Sequence, residues 1–322
     1  MKVYYVRHTI TKETFEDISR QAPDYIFDGR AFNIHNEHMK MKSRLYYELP
    51  GIGIAVNEAW SDEDVLLKDV DSKEPIILIR FIIDENLYQE SSGKSLGKSS
   101  PLGAQMYHTH NTLDVRIPAN KWVRWIGIRV TANTWDQFTH GRWEELDKLM
   151  HNKEKWVIYE ALTFQMEEYI RKIFKAQEED EGMIGETLGN TILLLSDFFL
   201  QILKRKKENR KLGVLTADME VLFEMKEYLL NQLTEPPTIA VLTKKFGMSR
   251  TRLLNNFKNV FGLPPHQFVL RAKYKEAYRL VRQTDQSLTS IAHNLGFSNI
   301  GHFTNGFKKE FGLTPSKLRN AK

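Results

Sequence analysis

The sequence contains no cysteine, which excludes disulfide bonds, thiolate metal sites and cysteine nucleophiles. It also lacks a long apolar run: the longest candidate, TILLLSDFFLQIL at 191–203, is shorter than the roughly 18 residues that a membrane span requires. The N-terminal stretch MKVYYVRHTITKETF has no apolar core of the kind found in signal peptides. We therefore expect a cytoplasmic protein with no membrane partner.

Acidic residues are scarce near the C-terminus. Residues 237–322 contain 15 Lys and Arg but only three acidic residues, whereas the preceding 236 residues contain 31 basic and 38 acidic residues. Such a basic segment predicts a polyanionic partner. Its periodic Leu, Phe, Ile and Ala residues indicate that it folds, and they argue against a flexible basic arm.

Tryptophan is absent from the second half of the chain, because all six lie between residues 60 and 156. A chain of 322 residues is also long for one compact core, so two domains are expected. Short apolar runs bounded by turn residues, such as GIGIAV (51–56), predict strands over about residues 25–131. Over about 142–205 the apolar spacing becomes helical, which predicts helices at 155–174 and 186–204.

The C-terminal segment contains one phrase twice: KFGMSRTRLLNNFKNVFGLPPHQF at 245–268 and NLGFSNIGHFTNGFKKEFGLTPSKLR at 294–319. In each copy, three apolar residues spaced four apart form one stripe of a helix, which predicts a buried face. A Gly-Leu pair and a proline follow each stripe and predict a helix end and a new helix start. The stripes are Leu253, Phe257 and Phe261 in the first copy, and Phe303, Phe307 and Phe311 in the second.

A short helix and a glycine turn are predicted before each stripe, with Gly247 in the first copy and Gly296 in the second. Ser249 and Ser298 are the expected caps of the helices that follow. A short helix, a tight turn and a second helix with a buried stripe form a helix-turn-helix motif, here present twice. A helix over 265–283 is predicted to join the two copies.

The second copy, with its I-A, G-F-S, F-K-K, F-G and P-S-x-x-R elements, resembles the signature of the AraC/XylS family of bacterial transcription regulators. The resemblance covers about residues 217–322. It implies an α+β protein of two domains, with an N-terminal cupin-like β-barrel, a helical dimerisation segment and a C-terminal all-α double helix-turn-helix domain. We accordingly expect an effector-sensing domain over 1–140, a dimerisation segment and linker over 141–212, and the DNA-binding domain over 213–322.

The function implied by the resemblance is that of a sequence-specific transcription regulator, an activator in the family's prevailing mode, and not an enzyme. The implied partners are double-stranded DNA, RNA polymerase and an unknown small-molecule effector bound by the N-terminal domain. No cofactor is expected. A homodimer is expected as well, because the apolar faces predicted at 155–174 and 186–204 exceed what a lone pair of helices can bury.

The helix faces opposite the buried stripes are expected to lie in successive major grooves. Asn255 and Asn305 occupy equivalent positions, and an asparagine amide can pair with adenine, whereas lysines suit phosphates. A solvated surface is the alternative for each residue. Gly301 and Gly306 lie within the second of these helices and are expected to weaken it by up to about 1 kcal/mol each. The expected DNA-binding residues are Arg250, Thr251, Arg252, Leu254, Asn255, Lys258, Asn299, Ile300, His302, Thr304, Asn305 and Lys308.

Two pairs of histidines, His108 with His110 and His35 with His38, raise the alternative of a cupin-type metalloenzyme domain fused to a DNA-binding domain. Neither pair is accompanied by the further ligands that a metal site needs, since Asp114 is the only acid near the first pair. We therefore expect no metal site. A DNA-alkylation repair regulator carries the same C-terminal domain, but its chemistry requires cysteine, so that alternative is excluded.

Overall fold

The computed structural model describes residues 1–22, 24–70, 76–83, 88–91, 94–95, 103–108, 114–151, 156–178, 182–207 and 214–320. The chain divides into two compact units, Met1–Glu220 and Val221–Lys322. Each unit has hydrophobic core clusters of its own, so each is described separately.

The first unit is rich in strands. They are β1 (Lys2–Arg7), β2 (Tyr25–Phe27), β3 (Ala31–His35), β4 (Met39–Tyr46), β5 (Ile52–Ser61), β6 (Val65–Val70), β7 (Ile76–Ile82), β8 (Tyr88–Ser91), β9 (Lys94–Ser95), β10 (Gly103–His108), β11 (Asp114–Ile117), β12 (Val123–Thr131), β13 (Trp156–Ala161) and β14 (Val214–Leu215). Its helices are α1 (Glu13–Ser19), α2 (Ala132–Thr139), α3 (Glu144–His151), α4 (Phe164–Ala176) and α5 (Met183–Lys207).

The described strands form two sheets. One has the order β1-β6-β11-β8-β9, and the other has the order β14-β13-β10-β7-β12-β5-β4-β3-β2. Both orders are open, and no pairing among the described strands closes either sheet into a barrel. The β-rich N-terminal unit predicted from the sequence is therefore present as two open sheets.

The two faces of the larger sheet have different partners because successive side chains of a strand point to opposite faces. One face packs against α4 and α5, in a cluster that includes Ile79, Ile128, Ile170 and Phe198. The opposite face belongs to a second cluster that also takes apolar residues from β1, β6 and β11 of the smaller sheet. The unit is thus layered, with helices outside and a second apolar interior that holds residues of both sheets.

The helix predicted over 155–174 is wrong in its first part. Residues Trp156–Ala161 form β13, which pairs antiparallel with β10, and the helix begins only at Phe164. The consecutive apolar residues from Trp156 to Tyr159 are all buried, as expected for a strand covered on both faces. Thr163 starts α4, because its side chain accepts a hydrogen bond from the Met166 N–H.

Helix α5 has two different sides. Leu194, Phe198 and Ile202 are buried in the cluster with the larger sheet, whereas Ile192 and Leu193 are about half exposed. By length and composition alone, its segment Met183–Lys204 would also be able to cross a membrane, with a mean hydropathy of 1.2.

The two histidine pairs considered in the sequence analysis lie only partly within the described residues. His108 is buried in β10, while His110 lies outside the described residues. His38 is exposed and its Nδ1 lies 2.6 Å from Oδ2 of Asp62. In the described part of the chain, no group of three or more His, Asp or Glu side chains could hold a metal ion.

The described elements of the second unit are helical. They are α6 (Thr216–Leu230), whose first five residues belong to the first unit, α7 (Ile239–Phe246), α8 (Arg250–Phe261), α9 (Pro265–Gln283), α10 (Leu288–Asn294), α11 (Ile300–Phe311) and α12 (Pro315–Asn320). The predicted helix over 265–283 is confirmed as α9 with those bounds. Thr314 precedes α12, and its hydroxyl accepts a hydrogen bond from the Lys317 N–H.

Candidate nucleic-acid interface

Helices α7 and α8 form the first helix-turn-helix motif. Gly247 ends α7 with a φ of 63°, a left-handed conformation that glycine adopts without steric cost. Ser249 then begins α8, because its side chain accepts a hydrogen bond from the Arg252 N–H. Both features agree with the sequence prediction, and together they turn the chain sharply between the two helices.

Helices α10 and α11 form the second motif, but the predicted cap is wrong here. Asn299, and not Ser298, begins α11: its Oδ1 accepts hydrogen bonds from the N–H groups of Gly301 at 2.7 Å and His302 at 3.1 Å. Because a side-chain oxygen in this position satisfies the open N–H groups of the first turn, Asn299 has a structural role that the sequence prediction missed.

The two stripes predicted to be core are buried. Leu253, Phe257 and Phe261 are at most 1% exposed, and Phe303 and Phe307 are fully buried. Phe311 is half-buried, with its ring centroid 4.6 Å from that of Phe307 and 4.9 Å from that of Tyr278 on α9. Because these faces of α8 and α11 are occupied by packing, only the opposite faces are available to a ligand.

The predicted contact residues lie on those outer faces or at their edges. Exposed are Arg250, Thr251, Arg252, Asn255, Asn299, Ile300, His302, Asn305 and Lys308, and half-buried are Leu254, Lys258 and Thr304. Asn255 and Asn305 are both exposed, and neither side chain is hydrogen-bonded to another described residue. Their amide groups are therefore available to pair with a base edge.

Two of the three acidic side chains of residues 237–322 are paired with arginines of α9. Oε1 of Glu310 accepts a hydrogen bond of 2.6 Å from Nε of Arg271, and Oε2 of Glu276 accepts one of 2.8 Å from Nε of Arg279. Pairing reduces the repulsion that these carboxylates would exert on a phosphate backbone. The outer faces of α8 and α11 therefore keep a positive balance.

The turn before α11 packs closely against its neighbours. Gly296 has a φ of 70°, and a Cβ added there would lie 2.4 Å from the carbonyl oxygen of Thr234. The Nζ of Lys273 lies 3.4 Å from the same oxygen and 5.5 Å from the ring centroid of Phe297. Burial lowers the pKa of Lys273. This lysine therefore holds the turn in place and is not available to DNA.

Comparison with known proteins agrees with this geometry. The family model described as "Helix-turn-helix domain" matches residues 242–321. The chain is 33% identical over 93 residues to the HTH-type transcriptional activator RhaS of Pectobacterium carotovorum subsp. carotovorum, which is 29% of this chain and 33% of that protein. It is 24% identical over 143 residues to the probable transcriptional regulator LumQ of Photobacterium leiognathi, which is 44% of this chain and 54% of that protein.

Among solved structures, the chain is similar to a transcriptional regulator with an AraC-type DNA-binding domain from Chromobacterium violaceum. The identity is 27%, the TM-score is 0.31, and the match covers 32% of this chain and 93% of that one. The matched region spans about half the length, or less, of the curated relatives named above. Those relatives are named as transcription regulators and not as enzymes.

Proposed function

We propose, from the premise that residues 242–321 form an AraC-type helix-turn-helix domain, that this chain is a sequence-specific DNA-binding transcription regulator. The observation that carries the proposal is the pair of helices α8 and α11. Each buries one apolar stripe, exposes a polar face, and belongs to a segment with 15 basic and three acidic residues. Two such helices in one chain allow contacts to two successive major grooves, one helical turn apart.

Within this function the exposed side chains have different roles. Asn255 and Asn305 pair with adenine, and Arg252 pairs with guanine or a phosphate. Ile300 is 44% exposed at the start of α11 and suits an apolar contact with a thymine methyl group. Lys308 neutralises a phosphate, which positions the protein without specifying a base. The remaining contacts are Arg250, Thr251, Leu254, Lys258, His302 and Thr304, with Asn299 acting mainly as the cap of α11.

The first unit is the regulatory part in this proposal. Its two sheets enclose an apolar interior that contains a cavity lined in part by polar residues, a setting that suits a small-molecule effector and a cupin-like domain. The exposed apolar side of α5 suits a second copy of the chain, so the protein acts as a homodimer. RhaS is named an activator, which favours activation through RNA polymerase in the cytoplasm for this chain too.

The experiment that tests the proposal is binding-site selection on duplex DNA with the full-length chain. Selection should yield a site with two conserved segments about 10 base pairs apart, because two helices read successive grooves. Asn255→Ala and Asn305→Ala should each cost about 1–3 kcal/mol of binding free energy on that site and relax one base position. The two relaxed positions should lie in different segments.

Lys308→Ala separates positioning from base readout. It should weaken binding nearly equally on all sequences and lower the slope of log affinity against log salt by about one unit. Asn231→Ala is the matched control, because Asn231 is exposed in the second unit but lies outside α8 and α11. If neither asparagine change alters base preference, or if both relax the same position, the assignment of the two readers is wrong.

A further inference from the structure

The apolar interior of the first unit contains a group of buried charged side chains. Arg80 on β7 and Arg129 on β12 belong to two mostly apolar strands of the larger sheet, and both are at most 7% exposed. Asp69 on β6 and His8, just after β1, come from the smaller sheet and are equally buried. Because a buried charge costs several kcal/mol unless it is compensated, such a group calls for a specific role.

Contacts between these groups leave Arg129 with unused donors. Asp69 accepts from Tyr107 at 3.3 Å, and its other oxygen lies 2.8 Å from Nε2 of His8. Arg80 approaches Asp69 at 3.7 Å. Nε of Arg129 lies 3.3 Å from Nδ1 of His8, and this is the one hydrogen bond that the Arg129 side chain makes to a described residue. A guanidinium has five N–H donors, so most of those on Arg129 remain for another acceptor.

A cavity of about 40 Å³ lies among these side chains. Arg80, Arg129, Asp69 and His8 line it, together with apolar residues such as Trp125. Gly127, directly opposite Arg80 on the neighbouring strand, also lines it, and a Cβ added to Gly127 would meet no atom within 4 Å. Any larger residue here would occupy this space, so glycine keeps the cavity open beside the two arginines.

The electrostatic balance of the cavity favours an anion. Its described lining contains two guanidinium groups and one carboxylate. Burial lowers the pKa of His8, which keeps the imidazole neutral, so it adds little positive charge of its own. Burial and the charge of Arg80 lower the pKa of Arg129 to about 10, which leaves Arg129 cationic at neutral pH at an energetic cost that a bound anion would relieve.

We propose that this cavity binds the carboxylate group of a small organic acid, held by Arg129 and Arg80. An ordered water needs roughly 10–15 Å³ of such space, so the cavity accommodates about three heavy atoms, which is the size of a carboxylate group. Planar, bidentate recognition of a carboxylate is also what a guanidinium does best. The inference rests on the proposed function only in naming this acid as the effector of the regulator.

Calorimetric titration of the full-length chain, without DNA, tests the site. Acetate should bind saturably with a Kd on the order of 1 mM, whereas its neutral isostere acetamide should not bind. Arg129→Met should weaken acetate binding at least about tenfold, because it removes the main donor. Gly127→Val should abolish binding while keeping both arginines. Arg124→Met is the matched control, since Arg124 lies on the same strand but is exposed and does not line the cavity.

Four results would overturn the inference: no saturable binding of acetate at about tenfold above that Kd, equal binding of acetamide, tighter binding of inorganic phosphate, or unchanged acetate binding in the Gly127→Val chain. The comparison of acetate with acetamide uses the natural chain, so it stands even if Arg129→Met fails to fold. No DNA is present, so failure here leaves the DNA-binding proposal untouched. A failed DNA selection likewise leaves the cavity assignment intact.

Discussion

Gly306 shows how one residue of α11 is determined by its neighbour on α9. A Cβ added to Gly306 would lie 1.8 Å from the hydroxyl oxygen of Tyr274 and 2.4 Å from its Cζ. Tyr274 is itself held between aromatic rings, with Phe297 at 5.1 Å and Phe303 at 6.3 Å between centroids. The glycine that weakens the isolated helix is therefore what lets α11 approach α9.

Gly306→Ala should accordingly destabilise the second unit, even though alanine favours a helix. Overpacking costs about 1–3 kcal/mol, against a gain of about 1 kcal/mol in helix propensity. Gly301→Ala is the control: its Cβ would meet only Oδ1 of Asn299, at 3.0 Å, so we expect little change or a small gain in stability. Urea denaturation of the full chain measures both. If Gly306→Ala lowers the free energy of unfolding by the same amount in the natural chain and in the Tyr274→Ala chain, contact with Tyr274 is not the cause.

Lys226 on α6 is a second residue whose environment has a measurable consequence. Its side chain is 1% exposed, and Nζ lies 3.9 Å from Oε1 of Glu227 and 6.0 Å from the ring centroid of Phe261. Burial lowers the pKa of Lys226 from 10.5 to about 7, opposed by Glu227 and reinforced by Lys275. Above pH 7 the folded chain therefore binds fewer protons at this site than the unfolded chain.

The stability of the second unit should consequently rise with pH between about pH 7 and pH 10.5, by about 2 kcal/mol from pH 7 to pH 9. Below pH 7 the lysine is charged in both states, and its burial penalty is fully present. Lys226→Met should remove this pH dependence and stabilise the chain most at low pH. Urea denaturation across that pH range gives the free energy of unfolding of the natural chain and of the variant. Their difference contains the contribution of Lys226 and cancels that of the other titrating groups. If this difference in unfolding free energy does not change with pH, the assignment to Lys226 is wrong. Lys317→Met changes an exposed lysine and is the control for which no change with pH is expected.

At the scale of elements, α5 presents two apolar sides but has a described partner for only one. Leu194, Phe198 and Ile202 pack into the core, while Ile192, Leu193 and Leu200 are 48–52% exposed. Exposed apolar side chains clustered on one helix mark an interaction surface more often than chance. A second copy of the chain is the partner that we propose for this side.

Leu193→Glu should therefore convert a dimer into a monomer. The variant places a carboxylate in the apolar interface, and removing that charge from water on dimerisation costs free energy. Sedimentation equilibrium of the full chain at tens of micromolar should show a dimer for the natural sequence and about half that mass for the variant. Phe138→Glu adds the same charge to a 69% exposed aromatic residue on α2 and should leave the dimer intact. A natural chain that sediments as a monomer would refute the interface.

At the scale of the whole molecule, the two units have separate cores and different spectroscopic signals. All six tryptophans lie between residues 60 and 156, in the first unit, whereas the described elements of the second unit are helical. Because each unit buries its own apolar residues, we expect two unfolding transitions instead of one. Tryptophan fluorescence should follow only the first unit, and far-UV circular dichroism should follow both.

Thermal unfolding of the Gly306→Ala chain tests this independence. The variant should lower the melting temperature of one circular dichroism transition and leave the tryptophan fluorescence transition unchanged, since residue 306 belongs to the second unit. Gly127→Val should have the converse pattern: it should shift the fluorescence transition and the circular dichroism transition of the first unit, and leave the circular dichroism transition of the second unit unchanged. A shift of the fluorescence transition in the Gly306→Ala chain, or of both circular dichroism transitions in either variant, would show that the units unfold as one.

The sequence by itself determined the helices and buried faces of the second unit, because these depend on residues that lie close together in the chain. The signals are apolar residues four apart, glycines after helices and a serine before α8, and each acts within one or two helical turns. Spacing alone therefore predicts the buried stripes, the left-handed Gly247 and the outward faces of α8 and α11. Tertiary packing decided what spacing leaves open. The apolar run at 156–161 fits a helix or a strand, and only pairing with β10 makes it β13.

The tertiary structure alone also decided the roles of isolated polar and glycine residues. Asn299 is a cap because of where α11 begins, and Gly306 is required because Tyr274 from α9 occupies the space of a side chain. Arg80 is the single charged residue of β7, and Arg129 shares β12 with the exposed Arg124, so the sequence does not indicate what either buried arginine contacts. Their juxtaposition with Asp69 and His8 arises only when residues far apart in sequence enter one interior, and no local spacing encodes that contact.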